Sequence, residues 1–179
     1  MAVDTLPDQS VLLETFSYDP ETGELRWLER PSSHYSSPEQ CKRANAQFAG
    51  TIAGHAEPRR YVFVRCHGRN QYAHRIIFKM MTGRSPCEID HLNRRKGDNR
   101  WVNLREATSS QNKSNRMRPI KSRSGTKGVS AHPNTKKFRA RIKLAGKENH
   151  LGLFATIEEA HAAYCAAARL LHGCFWNPG

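Results

Sequence analysis

Residues 86–116 read PCEIDHLNRRKGDNRWVNLREATSSQNKSNR, and this stretch decides the first prediction of the fold. A short apolar strand leads into Asp90-His91, a polar loop follows, and residues 103–105 predict a second strand. Thr108, or the serine after it, can cap a helix that continues to the end of the stretch. The order strand, loop, strand, helix predicts a ββα unit.

Four side chains of this unit have residue types and spacings that fit phosphodiester hydrolysis. Asn103 lies twelve residues after His91, and Asn112 lies twenty-one residues after it. His91 can supply a base because its reference pKa is near neutrality. Asp90 and a side-chain oxygen of Asn112 can hold one divalent cation, while the carbonyl of Asn103 can accept from one imidazole nitrogen. The alternative is that these residues only cap strands and helices, since Asn and Asp are common in turns.

The run Ile89-Asp90-His91-Leu92, continued by residues 98–105 and by Gln111-Asn112-x-x-Asn115, resembles the HNH endonuclease family. In particular it resembles the phage and intron-encoded homing-type branch, in which Asn occupies the last metal-binding position. Residues 73–75 and 18–23 also resemble that branch. The resemblance implies a ββα-metal core that uses one Mg²⁺ or Mn²⁺ ion. Its implied roles are general base for His91, metal ligands for Asp90 and Asn112, and orientation of His91 for Asn103.

Further cationic or imidazole side chains lie close to this centre in the sequence. Each can contact the DNA backbone, and each has an ordinary structural or solvated alternative of similar weight. These residues are His74, Arg75, Arg94, Arg95 and Arg100.

The charge of the chain is strongly positive and unevenly distributed. Lys and Arg number 29 against 16 Asp and Glu, which gives a formal net charge of +13. The interval 113–147 holds twelve Lys or Arg residues and no acid, whereas the first thirty residues are net acidic. Such a cluster favours a polyanion as partner, because binding to phosphates releases counterions. We therefore expect the C-terminal half to face DNA.

The C-terminal part has the periodicity of a sheet backed by a helix. Residues 137–144 alternate between cationic and apolar side chains, which predicts a strand with one buried and one positively charged face. Thr156 and Glu159 form a capping-box signature before an apolar helical face that ends near Gly173. Periodicity alone predicts three strands and one packed helix.

This part also resembles the AP2 (ethylene-response-factor-like) DNA-binding domain. The motifs are Ser124-Gly125-Thr126-Lys127-Gly128-Val129, residues 137–142, residues 151–160 and Ala163-Tyr164-x-x-Ala167. The resemblance implies a three-stranded antiparallel sheet whose outer face enters the major groove. The DNA contacts expected from it and from the alternation are Lys127, Ser130, His132, Lys137, Arg139, Arg141, Lys143 and His150. The alternative is a basic strand that only solubilises the protein.

The N-terminal part is less informative. Residues 10–30 predict a short helix and a hairpin whose turn contains Asp19-Pro20-Glu21-Thr22-Gly23. Residues 31–48 are polar and are predicted as a loop. Residues 61–73 predict a second hairpin, and residues 75–82 predict a helix that ends at Gly83.

The expected fold class is α+β: an HNH ββα-metal core, preceded by a small β-hairpin and helix region and followed by an AP2-like three-stranded antiparallel sheet packed on one helix. The expected divisions are 1–48 (hairpin segment and loop), 49–116 (nuclease, with its ββα core about 86–116), 117–124 (basic linker) and 125–179 (AP2-like domain). The five cysteines form no CxxC pair, which disfavours a thiolate zinc site. The longest apolar runs are too short to cross a bilayer, so we expect no membrane partner and a cytoplasmic location.

The leading hypothesis is a metal-dependent endonuclease of homing type that nicks double-stranded DNA as a monomer. One alternative is a DNA-binding regulator that keeps the ββα fold without its chemistry. Another is a less specific phage nuclease for DNA packaging or degradation. The sequence leaves open the target site, the choice between a nick and a double-strand break, and the physiological metal.

Overall fold

The computed structural model describes residues 6–55, 60–115, 125–144 and 146–177. The chain separates into two compact units, Met1–Glu106 and Ala107–Gly179, and each is described by itself. This grouping differs from the four divisions expected from the sequence, whose boundaries stay predictions. The expected linker 117–124 and its neighbour Arg116 lie outside the described residues.

The first unit alternates short helices with paired strands. The strands form three hydrogen-bonded pairs, β1 with β2, β3 with β4 and β5 with β6. Short 3-10 turns occupy Ser32–His34 and Trp101–Asn103. The elements are α1 (Gln9–Thr15), β1 (Phe16–Tyr18), β2 (Leu25–Trp27), α2 (Pro38–Phe48), β3 (Phe63–Cys66), β4 (Arg69–Tyr72), α3 (Ala73–Thr82), β5 (Glu88–His91) and β6 (Leu104–Ala107).

One apolar core joins the beginning of this unit to its end. Leu12 and Phe16 from the N-terminal elements are buried in the same cluster as Ile76 of α3, Ile89 of β5 and Leu104 of β6. Burial of large apolar side chains is the main favourable contribution to folding, at roughly 25 cal/mol per Å². The strands that position the candidate site therefore depend on the N-terminal helix and hairpin for their packing.

The prediction of a loop over residues 31–48 was wrong, because α2 occupies most of that segment. Ser37 caps this helix by accepting from the backbone N–H of Gln40, and Pro38 stands at its first position. Serine followed by proline is a helix start signal, but the helix buries no residue and so leaves no apolar stripe in the sequence. The predicted N-terminal hairpin and the helix ending at Gly83 are confirmed.

The second unit begins with a short helix and continues into a three-stranded antiparallel sheet. The strand order is β7-β8-β9, and the long helix α5 packs against all three strands. The predicted capping box is present, since Thr156 and Glu159 each hold the other's backbone N–H. A 3-10 turn at Gly173–Phe175 follows the helix. The elements are α4 (Ser109–Asn115), β7 (Val129–Ala131), β8 (Phe138–Leu144), β9 (Lys147–Phe154) and α5 (Ile157–His172).

A β-bulge interrupts the pairing of β8 with β9. The register shifts between Ala140 and Arg141, so Leu151 is an extra residue on β9. Its side chain packs against two separate clusters, one around Ala140 and Ala160 and the other around Ile142 and Tyr164. This unit therefore has two small buried clusters that share contacts with Leu151.

The mixture of helices with small sheets confirms the α+β class. Among the described residues, no helix is both long enough and apolar enough to span a bilayer.

Candidate active site

His91 ends β5 in a buried position. Its side chain is almost inaccessible, with 4% of the residue exposed. Nε2 lies 3.3 Å from Oδ1 of Asn99. An amide oxygen only accepts, so Nε2 carries the proton in this contact and Nδ1 is the unprotonated nitrogen. In the neutral ring this contact leaves Nδ1 as the acceptor nitrogen.

Two rings lie beside the imidazole of His91, and its burial lowers the pKa of the ring. The ring of Tyr61 lies 5.7 Å away and that of His74 lies 5.1 Å away, measured between centroids. Burial lowers the pKa of His91, and this effect outweighs the opposing influence of the Asn99 hydrogen bond and of the charges on Asp90 and Asp98. The imidazole is therefore neutral at physiological pH and can accept a proton.

The loop after β5 is held by its own polar side chains. The side-chain oxygen of Asn103 accepts from the backbone N–H of Asn93 at 2.9 Å, and its amide donates to the carbonyl of Asp98 at 2.7 Å. Asn93 in turn donates to the Asp98 carboxylate at 2.6 Å. The backbone carbonyl of Asn103 accepts from Leu92 N–H at 2.9 Å. Asn103 thus organises the loop, and its contact with the imidazole of His91 stays a prediction.

Asp90 precedes His91 and forms a buried ion pair. Oδ2 of its carboxylate accepts from Nε of Arg105 at 2.9 Å and from the terminal Nη2 at 2.6 Å. The side chains of Asp90 and Arg105 are 5% and 16% exposed. Both hydrogen bonds to one oxygen fix the carboxylate at the end of β5, with Arg105 supplied by the paired strand β6.

The donor atoms of the described residues decide which divalent cation can bind here. Within the part of the chain that the structure describes, no three His, Cys, Asp or Glu residues cluster so as to hold a metal ion. A single carboxylate with an amide oxygen still fits Mg²⁺ or Mn²⁺, which prefer oxygen and fill the remaining positions with water and substrate phosphate. Asp90 offers such a carboxylate. Asn112 is half-buried on α4, in the second unit. That it binds the same ion as Asp90 stays a prediction.

The N-terminal hairpin supports the loop that carries Asn99. The hydroxyl of Tyr18 donates to the carbonyl of Asn99 at 2.8 Å, and the N–H of Trp101 donates to the carbonyl of Pro20 at 3.0 Å. Gly23 lies in the hairpin turn with φ +79°, directly against the backbone of Asn99. The hairpin therefore holds Asn99 in place, and the side chain of Asn99 in turn contacts the imidazole of His91.

Replacing Gly23 with alanine should destabilise this contact. A Cβ at that position would lie 2.5 Å from the backbone nitrogen of Arg100, so the loop must shift in addition to the strain of a positive φ. We expect the strain to cost about 1–2 kcal/mol and the overlap about 1–3 kcal/mol more, measured by urea unfolding. Gly50→Ala is the matched control, because its φ is +77° and nothing lies within 4 Å of the added atom. Equal losses for both variants would contradict the close contact.

His74, at the beginning of α3, is a second buried imidazole beside the first. It is 6% exposed, stacks on Tyr72 at 5.4 Å, and its Nδ1 has no hydrogen-bond partner among the described residues. Burial lowers the pKa of His74 to about 3, with further contributions from His91 and Arg75. The residue was expected either to contact phosphate or to act structurally, and both roles stay predictions.

The buried neutral state of His74 should make the stability of the protein depend on pH. Above about pH 6.5 the imidazole is neutral in both the folded and the unfolded chain. Below that pH only the unfolded chain takes up the proton until the folded pKa of about 3 is reached, so acid favours unfolding. The difference in unfolding free energy between wild type and His74→Phe should fall by about 1.4 kcal/mol per pH unit between about pH 6 and pH 4.

The control for this measurement is His55→Phe, which replaces an exposed histidine of the same unit. An equal pH slope for wild type and His74→Phe would show that the proton uptake comes from other groups.

The cationic residues expected near the centre have different surroundings. Arg100 forms two hydrogen bonds with the Asp98 carboxylate, at 2.9 and 2.7 Å, and thereby lowers the pKa of Asp98 to about 2. Arg75 donates to the carbonyl of Cys87 at 3.4 Å. Arg94 and Arg95 are exposed, with Arg94 at φ +64°. Their contacts with phosphate stay predictions.

The residues expected to contact DNA from the second unit lie on or beside its sheet. Ala140 and Ile142 are buried as the alternation predicts, and Lys137 and Lys143 are exposed. Arg141 pairs with Glu148 on the neighbouring strand at 3.1 Å. The remaining expected contacts are the half-buried Lys127, Ser130, His132 and Arg139 and the exposed His150.

Lys127 has a structural role that the sequence did not reveal. Its ammonium donates to the carbonyl of Ser114 at 2.6 Å and to that of Asn177 at 3.0 Å. The side chain of Asn177 donates to the carbonyl of Asn115 at 3.0 Å. These hydrogen bonds hold the C-terminal end of α4 against Asn177 within the second unit.

Sequence reasoning gave no roles to Asn99, Asp98 and Arg105. All three lie inside the motif that was recognised, but their partners are set by the path of the loop and by strand register. The sequence contained one signal for Arg105. It follows Asn103 by two residues, so the two side chains are expected on the same face of the predicted second strand, the face of the candidate site.

Residues 71–114 match the family model for HNH endonucleases. No curated protein and no solved structure gives a significant match to the chain. The matched segment contains α3, both strands of the β5–β6 pair and most of α4. It therefore supports a nuclease that acts on nucleic acid, and it includes Asp90, His91 and Asn103.

Proposed function

We propose that this protein is a metal-dependent endonuclease that nicks double-stranded DNA at preferred sites, in the manner of a homing enzyme. The observation that carries the proposal is His91: a buried, neutral imidazole at the end of β5, adjacent to a fixed carboxylate. Its position within the segment similar to HNH endonucleases supports the same conclusion. A cytoplasmic enzyme that works as a monomer is the simplest form of this proposal.

His91 acts as general base in the proposed reaction. Its unprotonated Nδ1 takes a proton from the attacking water, while the hydrogen bond from Nε2–H to Asn99 keeps the ring in place. The positive charge that develops on the ring is favoured by that hydrogen bond and by the carboxylates of Asp90 and Asp98. Asn103 keeps the loop in the conformation that presents Asn99.

The proposed cofactor is one Mg²⁺ or Mn²⁺ ion, held through oxygen atoms of Asp90 and Asn112. When bound, the ion would neutralise charge on the phosphate and stabilise the departing oxygen. Arg105 keeps the Asp90 carboxylate oriented before any ion arrives. One such centre per chain favours a nick, because a double-strand break requires a second centre or a second visit.

The second unit holds the DNA in this proposal. Its three-stranded antiparallel sheet backed by α5 fits the resemblance to AP2 domains, and the exposed Lys137 and Lys143 together with Arg139 and Arg141 give the central strand its positive charge. Arginine suits bidentate contact with guanine, and lysine suits phosphate. The other proposed contacts are Lys127, Ser130, His132 and His150.

The experiment that tests the proposal is cleavage of a pool of supercoiled plasmids with randomised inserts, so that a preferred site is represented. Mg²⁺, Mn²⁺ and EDTA are compared. Open-circular product with a metal, and none with EDTA, is the expected result. Linear product would show that the enzyme cuts both strands and is not a nickase. Intact plasmid that is still shifted in a gel would contradict the enzyme and favour a DNA-binding regulator.

A further inference from the structure

A positively charged cleft lies within the second unit, between α4 and the sheet. Its volume is about 560 Å³, within the range of ordinary ligand pockets. Four cationic side chains line it, and no carboxylate is present among the described lining residues. The ring of the buried Tyr164 forms part of its wall. The four cations are Lys113, Lys127, Arg141 and Lys143.

One hydroxyl in the lining lacks the partner that a buried polar group normally has. Ser114 is 7% exposed, and its Oγ has no hydrogen-bond partner among the described residues. Its backbone carbonyl, in contrast, accepts from Lys127 at 2.6 Å, so the residue is held in place beside an ammonium group. Buried hydroxyls are normally hydrogen-bonded, so an unsatisfied one in the lining favours an acceptor group as the ligand of this cleft.

The cations fit one kind of ligand. Phosphate oxygens are bound in proteins by Arg, by Lys and by serine hydroxyls together. Arg141 is shared with Glu148 at 3.1 Å, whereas Lys143 is exposed at the edge of the cleft. A neutral apolar ligand would offer no acceptor to these cations, and a metal cation would be repelled by them.

We propose that this cleft binds a phosphate group, carried either by the DNA backbone or by a mononucleotide, with the Ser114 hydroxyl donating to it and Lys143 and Arg141 supplying charge. Where the phosphate belongs to DNA, the inference rests on the proposed function. It adds Ser114 and the cleft beside it to the DNA contacts proposed for the second unit, and it shares Arg141 and Lys143 with them.

The test uses the full chain in EDTA, so that binding is measured without cleavage. The probes are thymidine 3′,5′-bisphosphate, followed by calorimetry, and a fluorescent duplex of random sequence, followed by anisotropy. The variants are Ser114→Ala and Lys143→Glu. Their controls are Ser85→Ala, which removes another buried hydroxyl with no partner among the described residues, and Lys136→Glu, which makes the same charge change at an exposed position outside the cleft.

We expect both cleft variants to weaken binding by at least about fivefold, and both controls to change it by less than about twofold. Weaker binding of both probes would assign the cleft to nucleotide phosphates in general. Weaker binding of the duplex alone, in Ser114→Ala as well as in Lys143→Glu, would assign it to the DNA backbone. Unchanged binding of both probes, or an equal loss in the controls, would overturn the inference.

Thermal unfolding separates a binding role of Ser114 from a structural one. Ser114→Ala should unfold at the same temperature as wild type or higher, because the lost hydroxyl has no partner in the described structure. A lower unfolding temperature would overturn the assignment of this hydroxyl to a ligand. Since every readout is binding or stability, a protein that binds phosphate here but cuts no DNA would contradict the proposed function and leave this inference standing.

Discussion

Replacing His91 with alanine should lower the rate of DNA cleavage by about 10²–10⁴-fold, the usual contribution of a general base. Binding of DNA should change little, because the imidazole is buried and neutral and contributes no charge to the surface. The measurements are initial rates of plasmid nicking with Mg²⁺ and gel-shift affinity in EDTA.

The matched control for this variant is His55→Ala, which removes an exposed imidazole from the same unit. It should nick DNA at the rate of the wild type. Unchanged turnover in His91→Ala would show that another group is the base. A parallel loss of DNA affinity would instead indicate that the variant had lost its fold, which circular dichroism of the same sample would reveal.

Replacing Arg105 with leucine should lower the free energy of unfolding by about 3–5 kcal/mol. The substitution leaves the Asp90 carboxylate buried with the loss of two hydrogen bonds, at 2.9 and 2.6 Å. The loss of the ion-pair partner of a buried charge is among the most destabilising single changes. Urea unfolding at neutral pH, without added metal, measures the effect.

Arg84→Leu is the control for this prediction. Arg84 pairs with Glu106 at 2.9 Å, a similar distance, but the two side chains are 65% and 48% exposed. Solvent screens that pair, so its loss should cost at most about 1 kcal/mol. Similar costs for the two variants would mean that the pair made by Arg105 is as well solvated as the surface pair.

The elements with strong periodic or capping signals were predictable. α3 has an apolar face and a terminal glycine, and α5 has both halves of its capping box, so local sequence defines their limits. α2 was missed because a helix without a buried side is distinguished from a polar loop only by its first residues. The bulge at Leu151 was beyond prediction, because it depends on how two strands of one sheet align.

The candidate site was predictable only as a set of residues. Spacing within a known motif identified Asp90, His91 and Asn103, and the first two lie side by side at the end of β5. The partner of the imidazole is Asn99, which comes from the middle of the polar loop. The partner of a loop side chain depends on the path of the loop backbone. The sequence periods of strands (two residues) and helices (3.6 residues) carry no information about that path.

The apolar core of the first unit limits which fragment of the chain can be used as an independent nuclease. A gene fragment cut to the matched segment, residues 71–114, would keep every proposed catalytic side chain of the β5–β6 pair. It would lose Leu12, Phe16 and Leu25, which fill the interior behind Ile89, and it would lose the Tyr18 hydroxyl that holds Asn99. A portable cassette for protein engineering therefore has to begin upstream of α1.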